Sequence, residues 1–443
     1  MKKIFFYILL LAAPAMASAQ NNKAYEMNIG GVKVIVQPAG NEIAVVQTVI
    51  KGGVQNYPAA KAGIEKLAIT ALTETGTAND DKNSFKNKLD KVSAQLYGNA
   101  GTDYSSFGMN CILGDFDGVW QLYTDALLTP RFDAKEFARI KQDAINEVRA
   151  NEGSPDYAID KMARQTAFAG KAYAIEPGGS VATLASLTPA ETKAYWKNLL
   201  TRSRMAIVVV ADVDSADLRN KLQSFISKIP QGKPFVQKKE AFKPAANSFK
   251  PQQRDNATNY IQGIIAGPQP GTPDFNAFVL AMNIFSSRHF LEVRSKNGLS
   301  YAPGAWFSPG TTSYANISVS TTQPDQYAAV ARQLIEKVKR EGFTEAELKN
   351  EKTGYITGVY YRNETNQAIA GALASNEAIH GNWRRAITVG EQMKAVTLPQ
   401  LNSVFNRYVN NIVWSYQGDP KKVKPTLFTQ PTAPKITRDV KTF

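Results

Sequence analysis

The chain has 443 residues, enough for two or three domains, so a small disulfide-stapled scaffold is excluded. With 10% aromatic and 20% charged residues it also lies far from the aromatic-poor, highly charged profile of a disordered chain. The formal charge of +14 suits a soluble surface attracted to anionic polymers or membrane headgroups and carries no information about fold.

Lys2-Lys3, the apolar run Ile4 to Ala13 and the small residues Ala17-Ser18-Ala19 follow the export pattern, which predicts a signal peptide over 1–19. The run is shorter than the ~20 residues that span a bilayer, and Pro14 closes it. Cleavage near Ala19 places the mature chain in the periplasm or outside the cell, and losing Lys2 and Lys3 lowers its charge to +12. The single cysteine, Cys111, rules out an internal disulfide or a thiolate cluster. Within the strand-like segment Tyr104 to Leu113 it reads as a small core residue.

Val32 to Val36 and Ile43 to Ile50, separated by Pro38-Ala39-Gly40-Asn41, read as strand, turn, strand. A helix is expected from about Ala62 to Leu72, where Ile64, Leu67, Ala68, Ala71 and Leu72 recur at helical spacing, and Gly76 ends it. A longer helix follows Asp133, a good N-cap residue, with Phe137, Ile140, Ala144, Ile145 and Val148 as its apolar stripe. Thr188-Pro189 with Glu191 starts another, and Met205 to Val210 is a further strand.

Residues 228–251 turn polar, basic and proline-bearing, and read as an exposed linker. Beyond it the pattern recurs. Phe132-Asp133-Ala134-Lys135-Glu136 is echoed by Phe343-Thr344-Glu345-Ala346-Glu347 at an offset of 211. Leu187-Thr188-Pro189 and the strand after it are echoed by Val396 to Pro399 and the run Ile412 to Asp419, at offsets of 207 to 210. The expected fold class is α+β, built as two duplicated domains, 20–227 and 252–443, each a mainly antiparallel sheet with helices packed on one face. The tail from Pro425 to Phe443 reads as a loosely held extension.

Catalytic apparatus is scarce. The two histidines, His289 and His380, lie 91 positions apart with no His-x-x-x-His spacing, so a helical zinc pair is excluded. His289, beside Phe290 and Leu291, reads as a packed or surface residue. Neither a Gly-x-Ser-x-Gly elbow nor a Walker-type phosphate loop occurs.

The segment Gly63-Ile64-Glu65-Lys66-Leu67-Ala68-Ile69-Thr70, closing at Gly76-Thr77, resembles the motif helix of the pitrilysin/insulinase zinc metallopeptidases, in the short-chain branch that includes mitochondrial processing peptidase. Active members read Gly-x-x-His-x-x-Glu-His there. By that resemblance Lys66 stands for the first histidine, Ile69 for the glutamate base and Thr70 for the second histidine. Asp103-Tyr104-Ser105-Ser106 resembles the family's next strand. Ile145 to Arg149 with Ser154-Pro155-Asp156 resembles the segment of the third zinc ligand, whose counterpart is Glu147. Arg294 to Tyr301 resembles a second signature, whose arginine and the tyrosine seven residues later reach toward the bound peptide in active relatives. The likeness runs from about Met27 to Asp419.

The chemistry of that family needs two imidazoles at i and i+4 with a carboxylate between them. Charged lysine, threonine and isoleucine do not supply it. The resemblance therefore implies a chain with no metal and no cofactor of its own, zinc being expected only in a partner, and no hydrolysis by the isolated chain. Lys66 and Glu147 also read as an ion pair filling the emptied pocket. The expected function is that of a non-catalytic, peptide-binding subunit of a periplasmic heterodimeric zinc peptidase, whose Arg294 and Tyr301 act in trans at the active site of a zinc-bearing paralogue. The alternative is a stand-alone homodimeric peptide-binding or structural protein without hydrolytic role. The partners are then a peptide and a family member, and no nucleic acid.

Overall fold

Short apolar runs in both halves of the chain pair into two sheets, in a computed structural model that describes residues 23–431. The first half supplies β1 (Tyr25–Ile29), β2 (Val32–Gln37), β3 (Ile43–Lys51), β4 (Gln95–Ala100), β5 (Tyr104–Ile112) and β6 (Met205–Val210). They lie in the order β1-β2-β6-β3-β5-β4. The second half supplies β7 (Ser248–Gln253), β8 (Asn259–Ala266), β9 (Gly304–Ser308), β10 (Tyr314–Thr321) and β11 (Val413–Gly418), ordered β7-β11-β8-β10-β9. Leaving out β1, the two orders are the same. Each sheet is antiparallel except for one equivalent pair, β2 beside β6 and β7 beside β11, which run parallel. The fold class is thus a duplicated α+β architecture.

Expected caps form where local chemistry dictates them. Asp133 accepts from the Lys135 and Glu136 amides at the head of helix Ala134–Gly153, and Thr188 accepts from the Glu191 amide. The Glu191 carboxylate turns away to Lys61 at 2.5 Å instead of closing the box. Thr397 and Gln400 cap each other reciprocally at Leu398–Tyr408.

Helices on one face is an incomplete description of each sheet. All six residues of β6 are buried: Met205, Ile207 and Val209 face the core of the first half, and Ala206, Val208 and Val210 face the other side. A run with no polar alternation signals cover on both faces. The second cover comes from the other half. Helix Asn366–His380 lays Ala370, Leu373, Ala374 and Ala378 on Ile35, Val45, Val49 and Val208. Reciprocally, helix Pro155–Ala167 packs on β8 and β11, where Gln262 Nε2 donates to Asp160 Oδ1 at 2.9 Å. The two helices start 211 residues apart, the offset of the sequence repeat, so the halves exchange equivalent helices.

Two expectations are corrected. The segment read as linker does not stay irregular to Pro251, because Ser248–Gln253 is strand β7. It pairs with β11 alone, and an edge strand accepts Pro251 and polar side chains since its ladder is satisfied by backbone on one side only. The tail is not loose at its start, because Pro425–Thr429 is a short helix that buries Phe428 against Phe249 and Trp414, with ring centroids at 4.7 and 5.5 Å. Residues 432–443 and the leader 1–19 lie outside the described residues. Cys111 is buried on β5, where burial pushes its thiol up to about 11.

Candidate functional site

Gly63 opens the motif helix, Ile64–Glu74, with φ +93, and a Cβ there would meet Leu184 Cδ2 at 2.6 Å, so only glycine fits the turn. Ile64, Leu67, Ala68, Ala71 and Leu72 enter the core as the periodicity predicts. Beyond the helix Gly76 has φ +75, and Thr77 turns back to accept from the Asp80 amide through Oγ1 at 3.2 Å.

The three degenerate positions diverge in environment. Lys66 Nζ lies 2.7 Å from both oxygens of Glu147 on the neighbouring helix, with 32% of the lysine and 53% of the glutamate side chain exposed. Ile69 is buried against β4, its Cγ2 occupying the space a Cβ of Gly98 would need. Thr70 is half-buried. Zinc, which the fold family implies, does not fit this donor set. The lysine is a paired ammonium, isoleucine has no donor atom, and one threonine hydroxyl with one glutamate is not a zinc cage. Among the described residues no three His, Cys, Asp or Glu side chains converge into a metal-binding group.

Arg294 and Tyr301 come together elsewhere. Helix Asp274–Phe290 continues into a π-turn, Leu291–Lys296, whose wider winding carries Arg294. The turn is closed by Asn297 Nδ2 donating to the Glu292 carbonyl at 2.8 Å and by the Leu299 amide donating to the Val293 carbonyl at 2.9 Å. The Arg294 guanidinium then stacks between two rings, 4.0 Å from the Tyr301 centroid and 5.1 Å from that of Phe290. Tyr301 is 79% exposed. Among the described residues no carboxylate pairs with Arg294, and no hydrogen bond or ring contact links the stack to Lys66, Ile69, Thr70 or Glu147. Such a pair presents free guanidinium N–H donors and a phenol to solvent, the groups that bind carbonyl or carboxylate oxygens.

Sequence reasoning missed the most deeply placed acid of the motif helix. Glu65, fully buried, accepts from Ser105, from the Tyr195 hydroxyl and from Asn56 Nδ2 at 3.1 Å, and Arg204 binds the same asparagine at 2.5 Å. Burial pushes its carboxyl above the ordinary glutamate range against those hydrogen bonds, and also raises the Tyr195 hydroxyl. The available signal was positional, since Glu65 precedes buried Ala68 and Ile69 by one helical turn. His289, as expected, is packed: it lies in the second core with Nε2 3.2 Å from the Tyr327 hydroxyl, and burial holds it down at about 4.

Two duplicated α+β halves exchange helices, and among the described residues the motif helix carries no set of side chains that could hold a metal. Residues 186–355 match the family described as Peptidase M16 inactive domain, in line with the resemblance to the pitrilysin/insulinase metallopeptidases seen in the sequence. It is 19% identical over 340 residues to the uncharacterized zinc protease YmxG of Bacillus subtilis, covering 74% of this chain and 81% of that one. It is 21% identical to the uncharacterized zinc protease ML0855 of Mycobacterium leprae, over 90% and 92% of the two chains. A peptidase M16 inactive domain from Pseudomonas fluorescens superposes with a TM-score of 0.80 at 18% identity, over 93% of this chain and 100% of that one. The periplasmic protease PqqL of Escherichia coli superposes at 0.77 and 14% identity, over 94% of this chain and 49% of PqqL, so this chain corresponds to about half of that protein. No helix among the described residues is long and apolar enough to cross a membrane.

Proposed function

We propose that this chain is the non-catalytic, peptide-binding subunit of a periplasmic heterodimeric zinc peptidase, and that its Arg294 and Tyr301 complete the active site of a zinc-bearing paralogue. The observation that carries the reading is a contrast within one molecule. The positions that the motif resemblance assigns to the metal site hold Lys66, Ile69 and Thr70, while Tyr301 stands exposed and its stacking partner Arg294 has no acid partner among the described residues. The zinc then belongs to the partner alone. A peptide would add as a strand on the open edge of β4, which lies against the motif helix and, among the described residues, pairs with no strand other than β5. The export-like leader and the description of PqqL as periplasmic support the compartment.

The chain is purified alone and together with a family paralogue carrying the intact histidine motif, and peptide cleavage is assayed with and without a chelator. Only the heterodimer is expected to cleave, and the chelator abolishes it. Arg294→Ala and Tyr301→Phe each lower kcat/KM by about 10²-fold or more while the subunits still co-purify. Cleavage by the isolated chain ends the proposal. A homodimer that ignores every zinc-bearing paralogue replaces it with the stand-alone binding protein.

A further inference from the structure

A cavity of about 300 Å³ lies among four helices of the second half: Asp274–Phe290, Glu345–Arg362, Asn366–His380 and Arg385–Lys394. Its wall is apolar at Val279, Phe307, Val389 and Met393, yet it also carries Arg362, Arg385 and His380 and has no aspartate or glutamate in its lining. Arg362 is exposed and Arg385 half-buried, and a guanidinium withdrawn from water is ordinarily matched by a carboxylate. Arg385 has none among the described residues. Its one hydrogen bond runs from Nη2 to Asn276 Oδ1 at 3.1 Å, and its Nε is buried with no partner.

His380 repeats the feature on the same wall. Its Nδ1 is buried and unpartnered. The Phe275 ring lies 5.2 Å from the imidazole centroid and 5.5 Å from the Arg385 guanidinium, holding both against one surface. Burial, reinforced by the Arg385 charge, holds His380 down at about 4, so the ring is neutral at pH 7 and has a proton to place on Nδ1. Two unused donors, a positive charge and no acid describe the complement of an anion. The apolar wall asks for more than a bare ion, and the volume is too small for a nucleotide.

We propose that this cavity binds a small carboxylate bearing a compact apolar group, with the carboxylate on Arg385 and His380 Nδ1 and the apolar part against Val279 and Phe307. Such a group comes either from a free acylated amino acid or from the C-terminal residue of a peptide. The site is separate from the Arg294–Tyr301 stack and does not depend on a partner, so it is tested on this chain alone.

Calorimetric titrations use N-acetylleucine, N-acetylleucinamide, and a pentapeptide ending in leucine with a free or an amidated C terminus. At least one free acid is expected to bind, and the matching amide is not. Arg385→Gln should weaken that binding by about tenfold or more, the loss of a charge-assisted fork. Ala372→Phe, which fills the cavity and leaves its charges in place, should abolish it, with circular dichroism confirming that both variants fold. Binding of acetylleucine assigns the source to a free small molecule, and binding of the peptide acid alone assigns it to a chain terminus. Failure of both acids to bind, equal binding of the amides, or binding unchanged in both variants overturns the proposal.

Discussion

Lys66 Nζ contacts both carboxylate oxygens of Glu147 at 2.7 Å, so the two residues that the motif resemblance sets at zinc-ligand positions are engaged with each other as an ion pair. The pair spans two helices at the surface, where such contacts contribute about 0–1 kcal/mol. Its significance is chemical: the Glu147 carboxylate is held by an ammonium, which offers a metal ion no donor.

The first prediction follows from that geometry. Lys66→Gln should change unfolding free energy by less than about 1 kcal/mol, read by urea denaturation. Lys66→His combined with Thr70→His places two imidazoles at i and i+4 beside Glu147, and should take up one zinc per chain, measured by metal analysis after dialysis. Glu147→Gln in that background should weaken zinc by about tenfold or more, because a carboxylate ligand is lost. Hydrolysis stays absent, since Ile69 offers no group to move a proton.

Ile69 carries the second prediction. A Cβ on Gly98 would lie 2.2 Å from Ile69 Cγ2, so Gly98→Ala overpacks the contact between β4 and the motif helix and should cost about 1–3 kcal/mol. Ile69→Ala alone should cost about 2–4 kcal/mol through the cavity it leaves. The double variant should be more stable than the sum of the two by about 1 kcal/mol or more. Strict additivity in the denaturation series would show that the two residues do not share this space.

What the sequence made legible was local or repeated. Asp133, Thr188 and Thr397 announce helix starts because a side-chain oxygen satisfies an amide two or three residues on, whatever the tertiary setting. The 211-residue offset revealed the duplication. It could not reveal the helix exchange, since Ile159 and Ala163 show that Pro155–Ala167 buries a face and say nothing of which sheet receives it. Strand β7 was read as linker because backbone pairing to β11, invisible in a run as polar as Ser-Phe-Lys-Pro-Gln-Gln, holds it in place. At the site, the resemblance of the motif helix drew attention to Lys66, Ile69 and Thr70. It did not single out Glu65, because its partners Asn56, Ser105 and Tyr195 converge only in three dimensions.

His289 gives an acid-stability prediction. Burial lowers its pKa from an ordinary value near 6.5 to about 4, so the unfolded chain binds the proton more readily than the folded one. The stabilisation from keeping the ring neutral is present above about 6.5 and is lost as pH falls toward about 4, a span worth roughly 3 kcal/mol. His289→Gln, which can keep a hydrogen bond to Tyr327, should lose less stability than the wild type between pH 7 and pH 4. Parallel pH curves for the two proteins would contradict this.

Glu65 has the opposite sign. Burial raises its carboxyl pKa above the ordinary value near 4.3, and the hydrogen bonds from Ser105, Tyr195 and Asn56 with the Arg204 charge only partly oppose it. The folded state therefore holds the proton more tightly than the unfolded one. Its contribution is full below the ordinary carboxyl value and declines as pH rises through the raised one. Glu65→Gln removes that decline, so its stability relative to the wild type should be better at pH 8 than at pH 4 in urea titrations. Glu65→Ala tests the network separately. It strands the Tyr195 hydroxyl and the Asn56 amide in a buried site and should cost about 2–4 kcal/mol at either pH. A Gln variant whose deficit is constant across that range would mean that the carboxylate is as well solvated by its donors inside the fold as it is in water.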